Sequence, residues 1–270
     1  MLETRLARRL TELGLDTFDQ YVMYLQVSPD RQEELEEMLS RVTVGQTSFF
    51  RDPAQLAFVA GELLPALIES RRSEKSLRIW SAACATGEEA YTLAILIHRA
   101  LGERLPDWHV EVLGTDVSAK SIATAVEGRY TDDAVRSVEP AIRDRYFTRD
   151  GPYWRLSADI ASMVAFDRHN LKDRLGAKRY GHWDAVVCRN AMIYFDQAMR
   201  ANVASMFADQ LRPDGWLMVG VSESLDGLGA SLSPHGPSAA HAYRRAPLTA
   251  APAPSPNTTS PAQAPTLRIA

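Results

Sequence analysis

The chain reads as an α/β protein: a Rossmann-like, mostly parallel sheet, preceded by a small N-terminal helical domain and interrupted by a small β insertion. Three observations carry this reading. Leu77 to Leu101 runs as a short apolar strand, a small-residue loop from Ser81 to Gly87, and a stretch with Leu93, Ala94, Ile97 and Leu101 at helical spacing. Val110 to Asp116 is a second apolar strand, ending on an acid about 30 residues beyond that loop. Trp183-Asp-Ala-Val-Val-Cys188 and Trp216-Leu-Met-Val-Gly-Val221 are further apolar runs separated by a helical segment.

From the start of the chain, Leu2, Leu6, Leu10 and Leu13 share one helical face and leave Arg5, Arg8 and Arg9 towards solvent. These arginines read first as a solvated face and, against that, as a docking surface for an acidic partner. Asp16 is placed to cap a second helix carrying Phe18, Tyr21, Val22 and Leu25, and Pro29 to start a third through Leu35, Met38 and Leu39. This gives a helical domain over 1–42, a linker over 43–70 with a helix near Gln55 to Ser70, and a core domain over 71–245.

The loop after the first strand carries one glycine, Gly87, in place of G-x-G-x-x-G, and Glu88 and Glu89 open the helix where a pyrophosphate would lie. Two carboxylates there repel an anion, suit the helix dipole, and can face a sulfonium or ammonium group. Either acid taken alone is equally explained as a helix-start residue. Asp116 fits an acceptor for ribose hydroxyls, or a cap for the helix that starts near Ser118.

Thr131-Asp-Asp starts another capped helix. Asp150-Gly151-Pro152 lies between Tyr146-Phe147 and Tyr153-Trp154, a hairpin signature that places the β insertion near 146–160, and Met163 to Phe166 reads as a core strand. Asp196 caps a helix running to about Leu211, Arg212-Pro-Asp-Gly215 turns the chain, and His241 to Arg244 returns as an antiparallel edge. From Ala246 onward Ala, Pro, Ser and Thr dominate, the composition of a disordered tail.

With 270 residues, 46% hydrophobic and 24% charged, the chain can bury one substantial core. A net charge of −4 excludes a general attraction to nucleic acid or acidic membrane. The two cysteines, Cys84 and Cys188, have no C-x-x-C spacing, so neither a disulfide framework nor a metal site is expected. No apolar run is long enough to span a bilayer and the start is no signal sequence, so a cytoplasmic protein, expected to be monomeric, follows.

Four separated stretches also match one family in order: Val44-Gly-Gln-Thr-Ser-Phe-Phe-Arg-Asp52, Trp80-Ser-Ala-Ala-Cys-Ala-Thr-Gly-Glu-Glu89, Cys188-Arg-Asn-Ala-Met-Ile-Tyr-Phe-Asp196, and Leu211 to Leu225 with Gly220-Val-Ser-Glu223. Over about residues 1 to 245 the chain resembles the CheR chemotaxis receptor methyltransferases. The resemblance implies a Rossmann-like fold of the S-adenosylmethionine (SAM)-dependent methyltransferase type. It implies methyl transfer to glutamate side chains on the cytoplasmic helices of chemoreceptors, leaving S-adenosylhomocysteine (SAH). Carried over by position, Thr47 and Arg51 contact the methionine portion of the cofactor and Glu89 its cationic region. Asp116 holds the ribose, Asn170 and Leu171 line the adenine pocket, and Arg189 and Asn190 close the site near the sulfur. Arg51 and Tyr194 are the candidate catalytic residues, and Arg5, Arg8 and Arg9 a candidate docking face for acidic receptor helices.

The chain departs from the family pattern in three places. Gly45 stands where an asparagine is usual, and Val221 where the family's G-H-S-E has histidine. The Asp150-Gly-Pro turn is shorter than in members that grip a receptor's C-terminal pentapeptide, so no pentapeptide tether is expected. A non-enzymatic SAM sensor reporting through the N-terminal helices is the alternative; an NAD-dependent dehydrogenase on the same kind of sheet is disfavoured by the single-glycine loop.

Overall fold

The apolar stretches pair into two sheets in the computed structural model, which describes residues 2–42, 47–228 and 231–245. Gly45 and the tail from Ala246 lie outside them. In chain order the strands are β1 (Ser76–Ala82), β2 (His109–Asp116), β3 (Arg129–Tyr130), β4 (Phe147–Asp150), β5 (Tyr153–Leu156), β6 (Val164–Arg168), β7 (Trp183–Cys188), β8 (Leu211–Val219), β9 (Leu232–His235) and β10 (Ala242–Arg245). Seven form the main sheet, ordered β6-β2-β1-β7-β8-β10-β9. Its first five are parallel, and β10 runs antiparallel to both β8 and β9. Strand order reverses between β1 and β7, which opens a crevice at their carboxyl ends, the usual ligand position in such sheets.

Being covered on both faces, the central strands are nearly continuous in apolar residues, and every residue of β7 is buried. Asp184 is the exception in β7 and is satisfied at once: Arg71 Nε donates to it at 2.6 Å and the Arg78 amide at 2.8 Å. Arg71 also reaches Asp214, so a buried ionic cluster ties the linker helix to β7 and β8. Burial of this kind demands a partner for each charge.

The helices needed below are α1 (Leu2–Leu13), α2 (Phe18–Val27), α3 (Arg31–Val42), α4 (Pro53–Phe58), α5 (Leu64–Ser70), α6 (Glu88–Leu101) and α7 (Ala119–Glu127). Thr17, not Asp16, caps α2: its hydroxyl accepts from the Gln20 amide at 3.2 Å, and Gln20 Oε1 accepts from the Thr17 amide at 3.3 Å. The T-x-x-Q pattern makes a reciprocal capping box that an aspartate one residue earlier cannot reach. Between α4 and α5 the linker helix passes through a π-helical turn, Val59–Leu63.

The outward-facing arginines of α1 require correction. Arg9 is paired with Glu34 of α3 at 2.5 Å, and the Tyr21 hydroxyl donates to the same carboxylate at 2.6 Å. Glu34 is only 3% exposed, and an acid so enclosed draws in the nearest guanidinium. Arg5 donates to the Val42 carbonyl at 2.6 Å, and of the three only the Arg8 side chain, 87% accessible, stands in solvent. The helical domain is joined to the sheet by a surface pair, Arg168 with Glu36 of α3, at 2.5 Å.

Three other elements differ from expectation. The β insertion starts earlier than 146, because β3 joins the predicted hairpin to make a three-stranded sheet ordered β3-β5-β4. A two-residue strand has too short a pattern to be seen in sequence. Arg212 to Gly215 lies within β8, where a register shift against β7 absorbs the turn-like residues. The edge strand β9 was not foreseen, since its Leu-Ser-Pro-His carries little apolar alternation.

Candidate active site

The site forms where the loops after β1, β7 and β8 meet the segment leading into α4. Non-glycine residues with left-handed backbone gather there: Phe50 (φ 54°), Asp52 (φ 56°), Ala83 (φ 61°), Ala85 (φ 49°) and Asn190 (φ 60°). Such conformations cost energy and persist where the surroundings enforce them, often at functional sites. Gly87 (φ 94°) is required on two grounds, since a Cβ there would also fall 2.8 Å from that of Ala125 in α7.

A cavity at this junction is lined by Thr47, Arg51, Gln55, Cys84, Glu89, Arg189 and Asn190, among others. Glu89 is its acid. Ser81 Oγ donates to Glu89 Oε1 at 2.7 Å and Arg189 Nη1 to Oε2 at 3.3 Å. Burial holds the Glu89 carboxyl above its ordinary range, with the Arg189 charge opposing that rise. A second cation in the cavity therefore meets a carboxylate that one guanidinium only partly neutralises.

Glu88 turns away from the cavity, 4% exposed, with Thr86 Oγ1 donating to it at 2.7 Å. Of the two acids, Glu88 has the helix-start role and Glu89 the cavity. Asp116, at the end of β2, accepts from the Ala85 amide at 3.0 Å and the Ser118 amide at 2.9 Å. It thus bridges the β1 loop and the start of α7, and each oxygen keeps a lone pair for a ribose hydroxyl. Burial raises its pKa as well.

The segment carrying Thr47 and Arg51 is seated on the β insertion. Phe49 is fully buried and meets Tyr130 at 4.8 Å and Phe147 at 5.0 Å between ring centroids, both edge-on. Ser137 Oγ donates to the Phe49 carbonyl at 3.0 Å, and the Phe50 amide to Thr92 Oγ1 at 3.2 Å. The S-F-F-R block is thus an aromatic anchor followed by a cavity arginine.

Arg189 is the clasp on the opposite side. Its guanidinium donates to Gln55 Oε1 (2.9 Å), Glu89 Oε2 (3.3 Å), the Arg51 carbonyl (2.9 Å) and Asp52 Oδ2 (2.5 Å). Gln55 in turn donates to the carbonyls of Val219 and Ala240, both at 2.8 Å, which binds α4 to β8 and the chain before β10. Arg189 therefore orders the acids and the 51–55 segment.

Asp116 reaches the cavity wall through the Ala85 amide without lining the cavity, and the remaining expected site residues also stand outside it. Asn170 Oδ1 accepts from the Lys172 amide, and Leu171 is buried in the core beneath the sheet; neither lines this cavity, although the His169 amide next to them donates to the Asp116 carbonyl at 2.9 Å. Tyr194 is 59% exposed in the turn after β7 and does not line the cavity either. Gln55, Ser81 and Glu223 were missed by sequence reasoning. Glu223 and Ser81 had a signal in the family-like stretches that contain them, and Gln55 one as a lone polar residue in an otherwise apolar helical stretch.

A buried acid facing an incompletely neutralised cavity, with a second acid at the end of the next strand, fits a cationic sulfur joined to an adenosine. Residues 45–235 match the family model described as the CheR methyltransferase, SAM binding domain, and residues 1–43 that of the CheR methyltransferase, all-alpha domain. The chain is 34% identical over 235 residues to the chemotaxis protein methyltransferase of Escherichia coli (strain K12), covering 84% of this chain and 77% of that one. It is 33% identical over 243 residues to that of Salmonella typhimurium (87% and 80% covered), and 32% over 232 residues to that of Borreliella burgdorferi (84% and 81%). With SAM as its cofactor, the chain belongs to the CheR family of chemotaxis methyltransferases.

Proposed function

We propose that this protein methylates glutamate side chains on the cytoplasmic helices of chemoreceptors, acting in the cytoplasm and yielding glutamate methyl esters. The observation that carries the reading is Glu89, a buried carboxylate on the cavity wall held by Ser81 and Arg189. SAM supplies a methyl group on a cationic sulfur. The accepting glutamate, with an ordinary pKa of about 4.3, is already ionised at neutral pH, so this chain has no proton to remove. Its work is positioning: Glu89 receives the cation, Asp116 the ribose, Asn170 and Leu171, which follow His169 beside Asp116 and outside the Glu89 cavity, the adenine end, and Thr47 and Arg51 the methionine portion. Asn190 closes the cavity. Arg51 also orients the incoming carboxylate with its planar fork, and Tyr194, exposed in the adjacent turn, meets the substrate helix. Alignment of this kind supplies on the order of 7–11 kcal/mol of barrier reduction.

Incubation with labelled SAM and membranes bearing unmethylated receptors, followed by mild base, tests the reading. Volatile methanol is expected; base-stable label would mean methylation at nitrogen and would end it.

Receptor docking through α1 narrows to Arg8, which is exposed and, among the described residues, pairs only along its own helix with Glu12 at 3.2 Å, whereas Arg5 and Arg9 are engaged across the helical domain. Arg8→Glu is expected to lower kcat/KM on receptor about threefold at low salt, the difference closing as salt is raised. A salt-independent rate equal to wild type would leave that face inert. The short Gly151-Pro152 turn supports recognition of the receptor helices without a C-terminal pentapeptide tether. Tight capture of such a peptide by the purified protein would overturn this.

A further inference from the structure

We propose that Glu223 is a positioning residue for methyl transfer: its buried carboxylate clamps the loop Asn190–Tyr194 to the end of β8 and so fixes where Asn190 and Tyr194 stand. The inference rests on the functional reading above and adds a residue to it. Glu223 is 4% exposed and points into the junction of two loops. Its Oε2 accepts from the Gly220 amide at 2.6 Å and the Asn190 amide at 3.0 Å, and its Oε1 from the Ile193 amide at 3.2 Å. Three backbone donors on one carboxylate form a charge-assisted bracket, stiffer than the same number of neutral bonds.

Both sides of the bracket need holding. Asn190 keeps a left-handed backbone (φ 60°) that an unrestrained asparagine leaves readily, and it lines the cavity. On the other side, Gly220 approaches so closely that a Cβ would fall 2.8 Å from the Asn190 nitrogen and 2.8 Å from Glu223 Oε2. The turn is closed by the Glu223 amide on the Gly220 carbonyl at 2.9 Å, and His241 Nδ1 lies 3.0 Å from the Glu223 carbonyl. Glu223 thus links the loop after β7 to the loop after β8 and makes no hydrogen bond to Glu89 in α6 or Asp116 in β2, reaching Glu89 only as a like charge.

That separation gives the test. Glu223→Gln keeps shape and volume, but its one carbonyl oxygen can take either the place of Oε2, against the Gly220 and Asn190 amides, or that of Oε1, against the Ile193 amide, and its amide group then faces the backbone donor or donors of the other place. The expected result is a kcat on receptor lowered about tenfold to thirtyfold, with KM for SAM within about threefold of wild type, because misplacement near the reacting atoms is felt mainly in turnover. Glu223→Ala, which removes the bracket, should lose more. A merely structural glutamate would lower the melting temperature and leave kcat per folded molecule within about twofold; that outcome for Glu223→Gln overturns the proposal. Hydrogen exchange provides a readout free of any substrate: at least one of the Asn190 and Ile193 amides should exchange faster in Glu223→Gln and both in Glu223→Ala, with those of 83–89 unchanged. Unaltered exchange at 190–193 overturns the clamp in its own right. If the wild-type protein forms no methyl ester, the functional reading fails and the exchange result still decides the clamp.

Discussion

Arg189→Ala is expected to abolish measurable methyl transfer and to lower stability by about 3–5 kcal/mol, the usual result of removing one partner from a buried ionic network. For a chain of this size that is a fall of roughly 10 °C in melting temperature. The reason lies in what the guanidinium holds: Glu89 and Asp52 lose their shared cation, and Gln55 Oε1 and the Arg51 carbonyl lose their donor. What the segment from Arg51 to Gln55 keeps includes the other bonds of Gln55, the Phe50 amide on Thr92 and the Phe49 anchor. Arg189→Lys separates charge from geometry. An ammonium restores a positive charge but cannot span four acceptors in the plane of a guanidinium, so stability should recover in part while turnover stays at least about a hundredfold down. Thermal melts and single-turnover rates on the two variants check this. Wild-type melting and turnover in Arg189→Ala would remove the clasp from the account.

Glu89→Gln tests the charge of the cavity. SAM carries a positive sulfur and SAH a neutral one, with the rest of the molecule nearly shared. Loss of the carboxylate charge should weaken SAM on the order of 10–100-fold, or about 1.4–2.7 kcal/mol, and SAH by much less. Titration calorimetry of both ligands measures the difference, and an equal loss for the two would mean that Glu89 acts only by shape.

The same acid gives a pH dependence. Burial raises the Glu89 pKa, so the group takes up a proton at a higher pH than an ordinary glutamate, and the protonated form offers the sulfonium no charge. SAM affinity should therefore fall more steeply than SAH affinity as pH drops through that raised value, because the titration of Asp116 beside the shared ribose acts on both ligands alike. In Glu89→Gln the two ligands should show the same profile over that range.

Much of the architecture was legible because its signals are local. Apolar stretches such as Leu77 to Trp80 and Ala185 to Cys188, separated by helical patterns, specify a covered parallel sheet, and the acid at the end of β2 was placed by chain distance alone. The split between Glu88 and Glu89 was not legible. Adjacent residues at a helix start point about 100° apart, and which one reaches the cavity depends on how α6 leaves its loop. Arg9 misled for a related reason: a helical wheel places it outside, but Glu34 approaches from another helix and turns that position inward.

The order of strands, helices and acids, and the cationic ligand they suit, follow from short-range patterning in the chain, since periodicity and loop chemistry act over a few neighbouring residues. The clasp of Arg189 and the bracket of Glu223 join residues more than thirty to well over a hundred positions apart. No local pattern records such pairs. They exist because folding brings five loop and strand ends to one edge of the sheet, where each buried charge must find whatever partner the packing supplies.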